Sequence, residues 1–320
     1  MQLVHLKDPY FLTVITLMKG VGWWSSPRLK GWVVHSLAFA AYRLSRHKRR
    51  RSEENLASAF GKELDERQKR TIVKGAFRAF WEDAFSLSLS RTEKEALQGV
   101  ELSGVGHLRN ALQGGSGVIL WESGSFGKRS LAKHILHAHG FPLHQVHAEH
   151  HTGGFLTRRD SVSWVQYHII RPFFERCEKQ FLTEVTYLPN SDSLAFTRRL
   201  LDRLRRNAIL CITGDMGLGQ KLLPQSFLGH TKLFATGMIS LAKISGAPIL
   251  PLFCFRERDG AIRLVIEHPI GIETGVGREQ SLEKSVAEYV GLLESYIRRY
   301  PEQYRGWHHI DGFSEHEVRS

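Results

Sequence analysis

GVILWESGSFGKRSL, residues 117–131, decides how the rest of this 320-residue chain is read. Val118, Ile119, Leu120 and Trp121 follow a glycine and form a short, wholly apolar run, the signature of a strand buried on both faces. From Ser130 the pattern Ser-Leu-Ala-Lys-His-Ile-Leu changes to helical spacing. Glu122 to Arg129 must therefore turn between a buried strand and a helix. In an open, mostly parallel α/β sheet, ligands bind beyond the carboxyl ends of the strands, and the adjoining helix N-terminus offers unpaired N–H groups. A carboxylate, three serines and a Lys-Arg pair gather at this junction, so chemistry is expected there.

Outward from this stretch, the same logic repeats. Ala208 to Thr213 is another apolar run of strand length, and it delivers Asp215 into the glycine-rich Gly214–Gly217 loop. Leu143 to His147 reads as a strand, and Ser163 to Lys179 and Leu194 to Arg206 read as helices. Ala247 to Glu257 and Ala261 to Glu267 read as two strands joined across Asp259-Gly260, a hairpin signal. Thr236 can cap a helix ending at Ser245. Leu282 to Tyr300 is amphipathic and is stopped by Pro301. Glu66 to Leu87 is a long helix, Ser52 to Phe60 a short one capped by Ser52, and Glu93 to Leu112 a connecting segment. The expected fold is α/β, a mostly parallel sheet flanked by helices, over residues 51–320, with a helical, membrane-associating extension over residues 1–50.

Hydrophobic residues make up 42% of the chain, enough for a sizeable core. Lysine and arginine number 44 against 32 acidic residues, a net charge of +12, which favours an anionic partner. The basic residues concentrate in Arg46-His47-Lys48-Arg49-Arg50-Arg51, directly after the apolar stretches Pro9–Met18 and Gly31–Leu44. Each stretch is shorter than the ~18 residues of a spanning helix. With Trp23, Trp24 and Trp32 beside them, they suit an interfacial anchor on an anionic cytoplasmic membrane face. An ordinary core helix followed by a solvated basic turn is the plainer alternative. No cleavable leader is read, because Lys19, Trp23-Trp24 and Pro27 break the apolar pattern. Nucleic-acid binding rests on charge alone and lacks a recognition motif, so no nucleic-acid partner is expected. Cys177, Cys211 and Cys254 are widely spaced in apolar surroundings and read as reduced structural thiols.

Several further segments share one pattern: Arg50-Arg51 with Asn55-Leu56 and Ala59-Phe60, then Gly214-Asp215 followed by Ser226-Phe227-Leu228-Gly229. Next come Thr236-Gly237 with Ser245-Gly246-Ala247-Pro248-Ile249-Leu250-Pro251, and finally Tyr300-Pro301-Glu302-Gln303-Tyr304 with Trp307 and His308. In this order and spacing the chain resembles, over nearly its whole length, the lauroyl/myristoyl late acyltransferases of lipid A, within the lysophospholipid acyltransferase superfamily. The resemblance implies transfer of an acyl group from an acyl carrier protein, or another acyl thioester, to a hydroxyl or amine of an anionic membrane lipid or glycolipid. It implies action at the cytoplasmic face of a bacterial inner membrane, without a cofactor or metal. Family members use a histidine and, five positions on, an acid in the loop after the first sheet strand. The histidine takes the proton of the attacking hydroxyl and the acid orients it. Here those two positions are Ser125 and Ser130, and serine is no base near neutral pH. Either the chemistry has been rebuilt from neighbours, or the chain is a silent homologue that binds lipid or carrier protein.

Glu122 is the first candidate for a replacement base, because a carboxylate ending an apolar strand is costly to bury without a partner or a purpose; the plainer reading is a structural ion pair with Lys128 or Arg129. Arg129 and Asp215 complete the expected catalytic set. Ser125, Lys128 and His147 are expected to contact substrate: Lys128 with Arg129 could hold a phosphate or an oxyanion, with help from the backbone N–H groups of Ser125 to Gly127. His147 or His150 could supply an imidazole. Ser123 and Ser125 do not sit in a Gly-x-Ser-x-Gly elbow, which argues against covalent catalysis. The histidines at 134, 137, 139, 144, 147, 150 and 151 match no zinc spacing, even with Glu149. Arg158, Arg159 and Arg171 could bind phosphate or carrier protein, or be merely solvated.

Overall fold

The computed structural model describes residues 8–24, 27–148, 151–152, 155–156, 163–188, 194–217, 221–273 and 277–310. His150, Arg158 and Arg159 lie outside the described residues, as do the side chains of Trp23, Trp24 and His151. The chain opens with helices α1 (Asp8–Trp24), α2 (Pro27–Leu44), α3 (Arg46–Phe60), α4 (Glu66–Ser86) and α5 (Arg91–Ala96). Strand β1 (Leu102–Ser103), helix α6 (Val105–Gln113), strand β2 (Val118–Glu122) and helix α7 (Arg129–Ala138) follow. Then come β3 (Leu143–Ala148), the small pair β4 (His151–Thr152) and β5 (Phe155–Leu156), α8 (Arg171–Glu178), β6 (Glu184–Leu188), α9 (Leu194–Arg205) and β7 (Ile209–Thr213). The last elements are β8 (Leu222–Phe227), β9 (His230–Ala235), α10 (Gly237–Ser245), β10 (Ile249–Arg256), β11 (Ile262–Ile266) and α11 (Arg278–Arg299).

Seven strands form one sheet in the order β1-β11-β10-β2-β7-β3-β6. β10, β2, β7, β3 and β6 run parallel, and β11 returns antiparallel to β10 through the Asp259-Gly260 turn. The α/β architecture with a mostly parallel sheet is thus as the sequence led us to expect. β2 is flanked on both sides, and all five of its residues are buried. Its side chains alternate between two apolar clusters: Ile119 and Trp121 join Tyr289, Phe253 and Met238 on one face, while Val118 and Leu120 join Ile135, Leu136 and Cys211 on the other. Burial of each such aliphatic side chain contributes about 1.5–3 kcal/mol. Trp121 stacks on Tyr289 at 3.9 Å and 7°, fixing α11 over the carboxyl half of β2.

Several local expectations change. The basic run Arg46–Arg51 lies inside α3 rather than before it, and the Ser52 hydroxyl donates to the Lys48 carbonyl instead of capping a new helix. The segment read as connecting contains α5 and α6, the first opened by a Ser90/Glu93 capping box. The helix over 163–179 contains a π turn at Gln166–Ile170, ahead of Pro172. α1 and α2 place Phe11, Val14, Ile15, Met18, Val33, Val34 and Ala38 in the same apolar cluster as Trp81 and Phe85 of α4. Among the described residues no helix is long and apolar enough to cross a membrane.

Candidate active site

β2 ends between two parallel neighbours, with Glu122 in register with Leu252 of β10 and Thr213 of β7. Beyond it the chain turns through Ser123–Lys128, and every backbone N–H from Gly124 to Lys128 is already in use. Gly124 N–H donates to Asp215 Oδ1 at 2.6 Å, and those of Ser125 and Phe126 donate to Ser123 Oγ at 3.2 and 2.9 Å. Gly127 donates to the Gln303 carbonyl at 3.0 Å and Lys128 to the Cys254 carbonyl at 2.7 Å. Ser123 Oγ in turn donates to Asp215 Oδ2 at 2.5 Å. Asp215, fully buried, thus ties the loop after β7 to the loop after β2. Gly127 has φ +67° and approaches β10 so closely that a Cβ there would lie 2.2 Å from the Cys254 carbonyl oxygen.

The charged side chains around this loop are buried and paired. Glu122 Oε2 lies 3.0 Å from Lys133 Nζ, one turn into α7 from Arg129. The geometry neutralises charge without a directed hydrogen bond, and neither Glu122 oxygen has one among the described residues. Arg129 reaches Thr213 Oγ1 at 3.4 Å through Nη1, while its Nε is buried with no hydrogen-bond partner among the described residues. Lys128 turns away from the loop and pairs with Glu82 of α4. Burial pushes the Glu82 carboxyl up, but Lys128, Arg256 and Arg78 together hold it below the usual carboxylate range. The next residue, Asp83, accepts from Ser130 N–H at 2.9 Å at the start of α7 and from Arg305 Nη1 at 2.7 Å. Burial raises this carboxyl too, and Arg305, Arg129 and the Ser130 N–H more than offset it. Arg305 also donates from Nη2 to the Gly124 carbonyl at 2.9 Å and from its backbone N–H to that of Ser125 at 2.7 Å.

Glu122, Ser123, Phe126, Arg129, Ala132, Leu252 and Cys254 enclose a cavity of about 10 Å³, room for roughly one water. Of the residues singled out in the sequence, Glu122 and Arg129 share this cavity, and Asp215 stands behind Ser123 at its wall. Ser125 is buried outside it, its hydroxyl 3.4 Å from Met216 Sδ. His147 lies 3.2 Å from Glu178 Oε1, within the electrostatic reach of Arg129 and Lys133. Burial pulls this imidazole below its ordinary value, so the contact is a hydrogen bond from a neutral ring. Arg171 pairs with Glu175. No cluster of potential metal ligands exists among the described residues, and the three cysteines are free and buried.

Sequence reasoning missed Glu82, Asp83, Lys133 and Arg305. Lys133 carried a signal, since it lies four residues after Arg129 and so on the same helix face. Glu82-Asp83 interrupts the apolar face of α4, which was a further clue. Arg305 sits in an irregular segment, where periodicity says nothing.

A central parallel strand that ends in a buried carboxylate, followed by a helix that brings a guanidinium to a small cavity beside it, is where open α/β sheets place their ligand sites. Residues 10–309 match the family model described as bacterial lipid A biosynthesis acyltransferase. The chain belongs to this acyltransferase family, as the sequence resemblance implied. In a comparison with curated proteins, none matched the chain.

Proposed function

We propose that this chain is a membrane-associated acyltransferase with a rebuilt site, in which Glu122 replaces the missing imidazole and Arg129 stabilises the oxyanion. The observation that carries the reading is a buried carboxylate and a buried guanidinium lining one small cavity: Glu122, whose charge is met by Lys133 at 3.0 Å without a directed hydrogen bond, and Arg129, whose Nε has no partner among the described residues. A buried polar atom left without a hydrogen bond, as Arg129 Nε is, costs roughly 1–3 kcal/mol, a burden that a purely structural side chain has no reason to carry. In the proposed step the acceptor hydroxyl gives its proton to Glu122, and its oxygen bonds to the carbonyl carbon of the thioester. The tetrahedral oxyanion is held by Arg129; when the carbon–sulfur bond breaks, the leaving thiolate takes the proton back from Glu122. Backbone amides of the loop have no part in this, because all five are engaged. Lys128 is assigned to structure, held by Glu82. Ser125 is likewise assigned to packing and Asp215 to positioning Ser123. The donor in this reading is an acyl carrier protein or other acyl thioester. The acceptor is a hydroxyl or amine of an anionic lipid or glycolipid, at the cytoplasmic face of a bacterial inner membrane.

The second reading, a silent homologue that binds lipid or carrier protein, is favoured by the size of the cavity: at about 10 Å³ it admits a substrate only if its lining side chains move apart. One experiment separates the two. Purified protein is incubated with radiolabelled acyl carrier protein thioesters and a membrane lipid extract, alongside Arg129→Ala and Ser125→Ala. Transfer is expected from the wild type and from Ser125→Ala, with a loss of about 10²–10³ in Arg129→Ala. No transfer from any donor establishes the silent reading, and an unimpaired Arg129→Ala removes the proposed oxyanion group.

A further inference from the structure

A second cavity, with charged walls, lies along α4 from Asp83, between α2, α3 and α4. It measures about 440 Å³ and is lined by Phe39, Tyr42 and Arg43 of α2, Arg49 and Glu53 of α3, and Arg70 and Lys74 of α4. Four cations face it against one carboxylate. Tyr42, packed edge-on against Phe77, forms its floor, with Arg49 at 5.1 Å and Lys74 at 5.6 Å over the ring. Arg43 lies 5.2 Å over Phe39 at the rim. Aromatic faces hold these cations in place without neutralising them. Arg43, Arg70 and Lys74 make no ion pair with a carboxylate among the described residues, although exposed acids on the neighbouring turns do pair, Glu54 with Arg50 and Glu66 with Lys69. A pocket that gathers cations and leaves them unneutralised has the electrostatics of an anion site.

What adjoins the pocket indicates which anion. Trp32, His35, Phe39 and Arg43 recur on one exposed stripe of α2, turned away from the buried Val33, Val34 and Ala38, with the buried Tyr42 at its edge. Trp32 and Phe39 on this outward stripe are 67% and 52% exposed, and Leu44 at the helix end is 83% exposed. Large apolar side chains directed outward beside a cationic cavity match the two layers of a membrane interface, headgroup and acyl boundary. We propose that the α2–α3–α4 cavity binds the phosphate diester headgroup of an anionic phospholipid, seating the protein on the bilayer with Trp32 and Phe39 dipping below the headgroups. The proposal rests on the reading of the protein as membrane-associated, and it adds a specific headgroup site to what could otherwise be diffuse attraction.

The test is co-sedimentation of the purified full-length chain with vesicles of phosphatidylcholine alone or with about one third phosphatidylglycerol. The variants are the pocket pair Arg70→Ala/Lys74→Ala, the charge-matched pair Arg46→Ala/Arg50→Ala from the same basic region outside the cavity, and Trp32→Ser. Circular dichroism and thermal melting confirm that each variant is folded. Tight binding only to the anionic vesicles is expected, reduced at least tenfold in the pocket pair and no more than about threefold in the matched pair. Soluble glycerophosphoglycerol is expected to compete with the vesicles for the wild type and not for the pocket pair. Equal losses in the two pairs would mean diffuse attraction and overturn the site. Equal binding to neutral vesicles would overturn the headgroup assignment while leaving membrane association intact. Absence of binding to any vesicle would overturn membrane association itself. Under that outcome, capture of glycerophosphoglycerol or of an acyl carrier protein, lost in the pocket pair, would reassign the cavity to a soluble anion or a protein.

Discussion

Glu122→Gln separates the two roles that one side chain can play here. Glu122 and Lys133 are 2% and 4% exposed as side chains and lie 3.0 Å apart, so the amide would leave an ammonium buried with no opposing carboxylate at that distance. Breaking a buried pair from one side costs about 3–5 kcal/mol. For a domain of this size that corresponds to a fall in Tm on the order of 10 °C. The double variant Glu122→Gln/Lys133→Met removes both charges at nearly constant volume and should regain most of that loss, since replacing a buried pair with neutral groups is often near neutral. Activity should not follow stability. If Glu122 accepts the acceptor's proton, the double variant remains folded and about 10²–10⁴ slower in acyl transfer. The assay is thermal unfolding beside transfer from a labelled carrier-protein thioester, on wild type, both single variants and the double variant. A double variant with wild-type transfer refutes Glu122 as base, and an unchanged Tm in Glu122→Gln refutes the energetic importance of the pair.

Three further perturbations follow from the same geometry. Arg305→Lys cannot bridge Asp83 and the Gly124 carbonyl with one planar group, and should lower the urea midpoint by an amount equivalent to about 2–3 kcal/mol at unchanged m; an unaltered midpoint would show the bridge to be dispensable. Burial holds His134 and His308 down at about 3 and also lowers His147 and His309, so in the folded state they stay neutral as the pH falls, while in the unfolded chain they protonate near 6.5. Stability should therefore decline as pH drops below about 6.5, by about 2 kcal/mol at pH 5 for His134 alone; denaturant titrations giving the same stability at pH 7 and 5 would contradict this. Gly127→Ala adds a Cβ 2.2 Å from the Cys254 oxygen at positive φ and should cost about 2 kcal/mol or more, whereas Gly99→Ala, with open space around it, should be nearly silent in the same melt.

Buried strands were the most legible part of the sequence. β2, β7 and β10 are continuous apolar runs ended by glycine or acid, and the Asp259-Gly260 turn marked β10–β11 because its chemistry is local. The β8–β9 hairpin was not legible: its two-residue turn is Leu228-Gly229, with Leu228 at φ +50°, where asparagine or aspartate would have been the signal. Glu122 and Arg129 were found because a strand end and a helix start converge in any fold of this class. Glu122 pairs with Lys133, one turn beyond Arg129 on the same helix, whereas the partners of Lys128 and of the Ser130 N–H come from α4, more than forty residues earlier in the chain, and Asp83 there is held by Arg305 from the segment after α11. No local pattern connects Asp83 to Arg305, 222 positions away. The backbone amides of Ser125 to Gly127, expected to serve an oxyanion, are engaged instead: Ser123 Oγ takes two of them locally, and the Gln303 carbonyl takes that of Gly127 from afar.

The saturated loop also limits what position 125 can hold. Ser125→His would place an imidazole where Met216 and Gly306 already close around the serine, Gly306 so near that its own added Cβ would lie 3.1 Å from the Ser125 Cβ. The adjacent cavity of about 10 Å³ cannot absorb the ring. An imidazole at position 125 therefore fits only if Met216 and the segment around Gly306 move apart together.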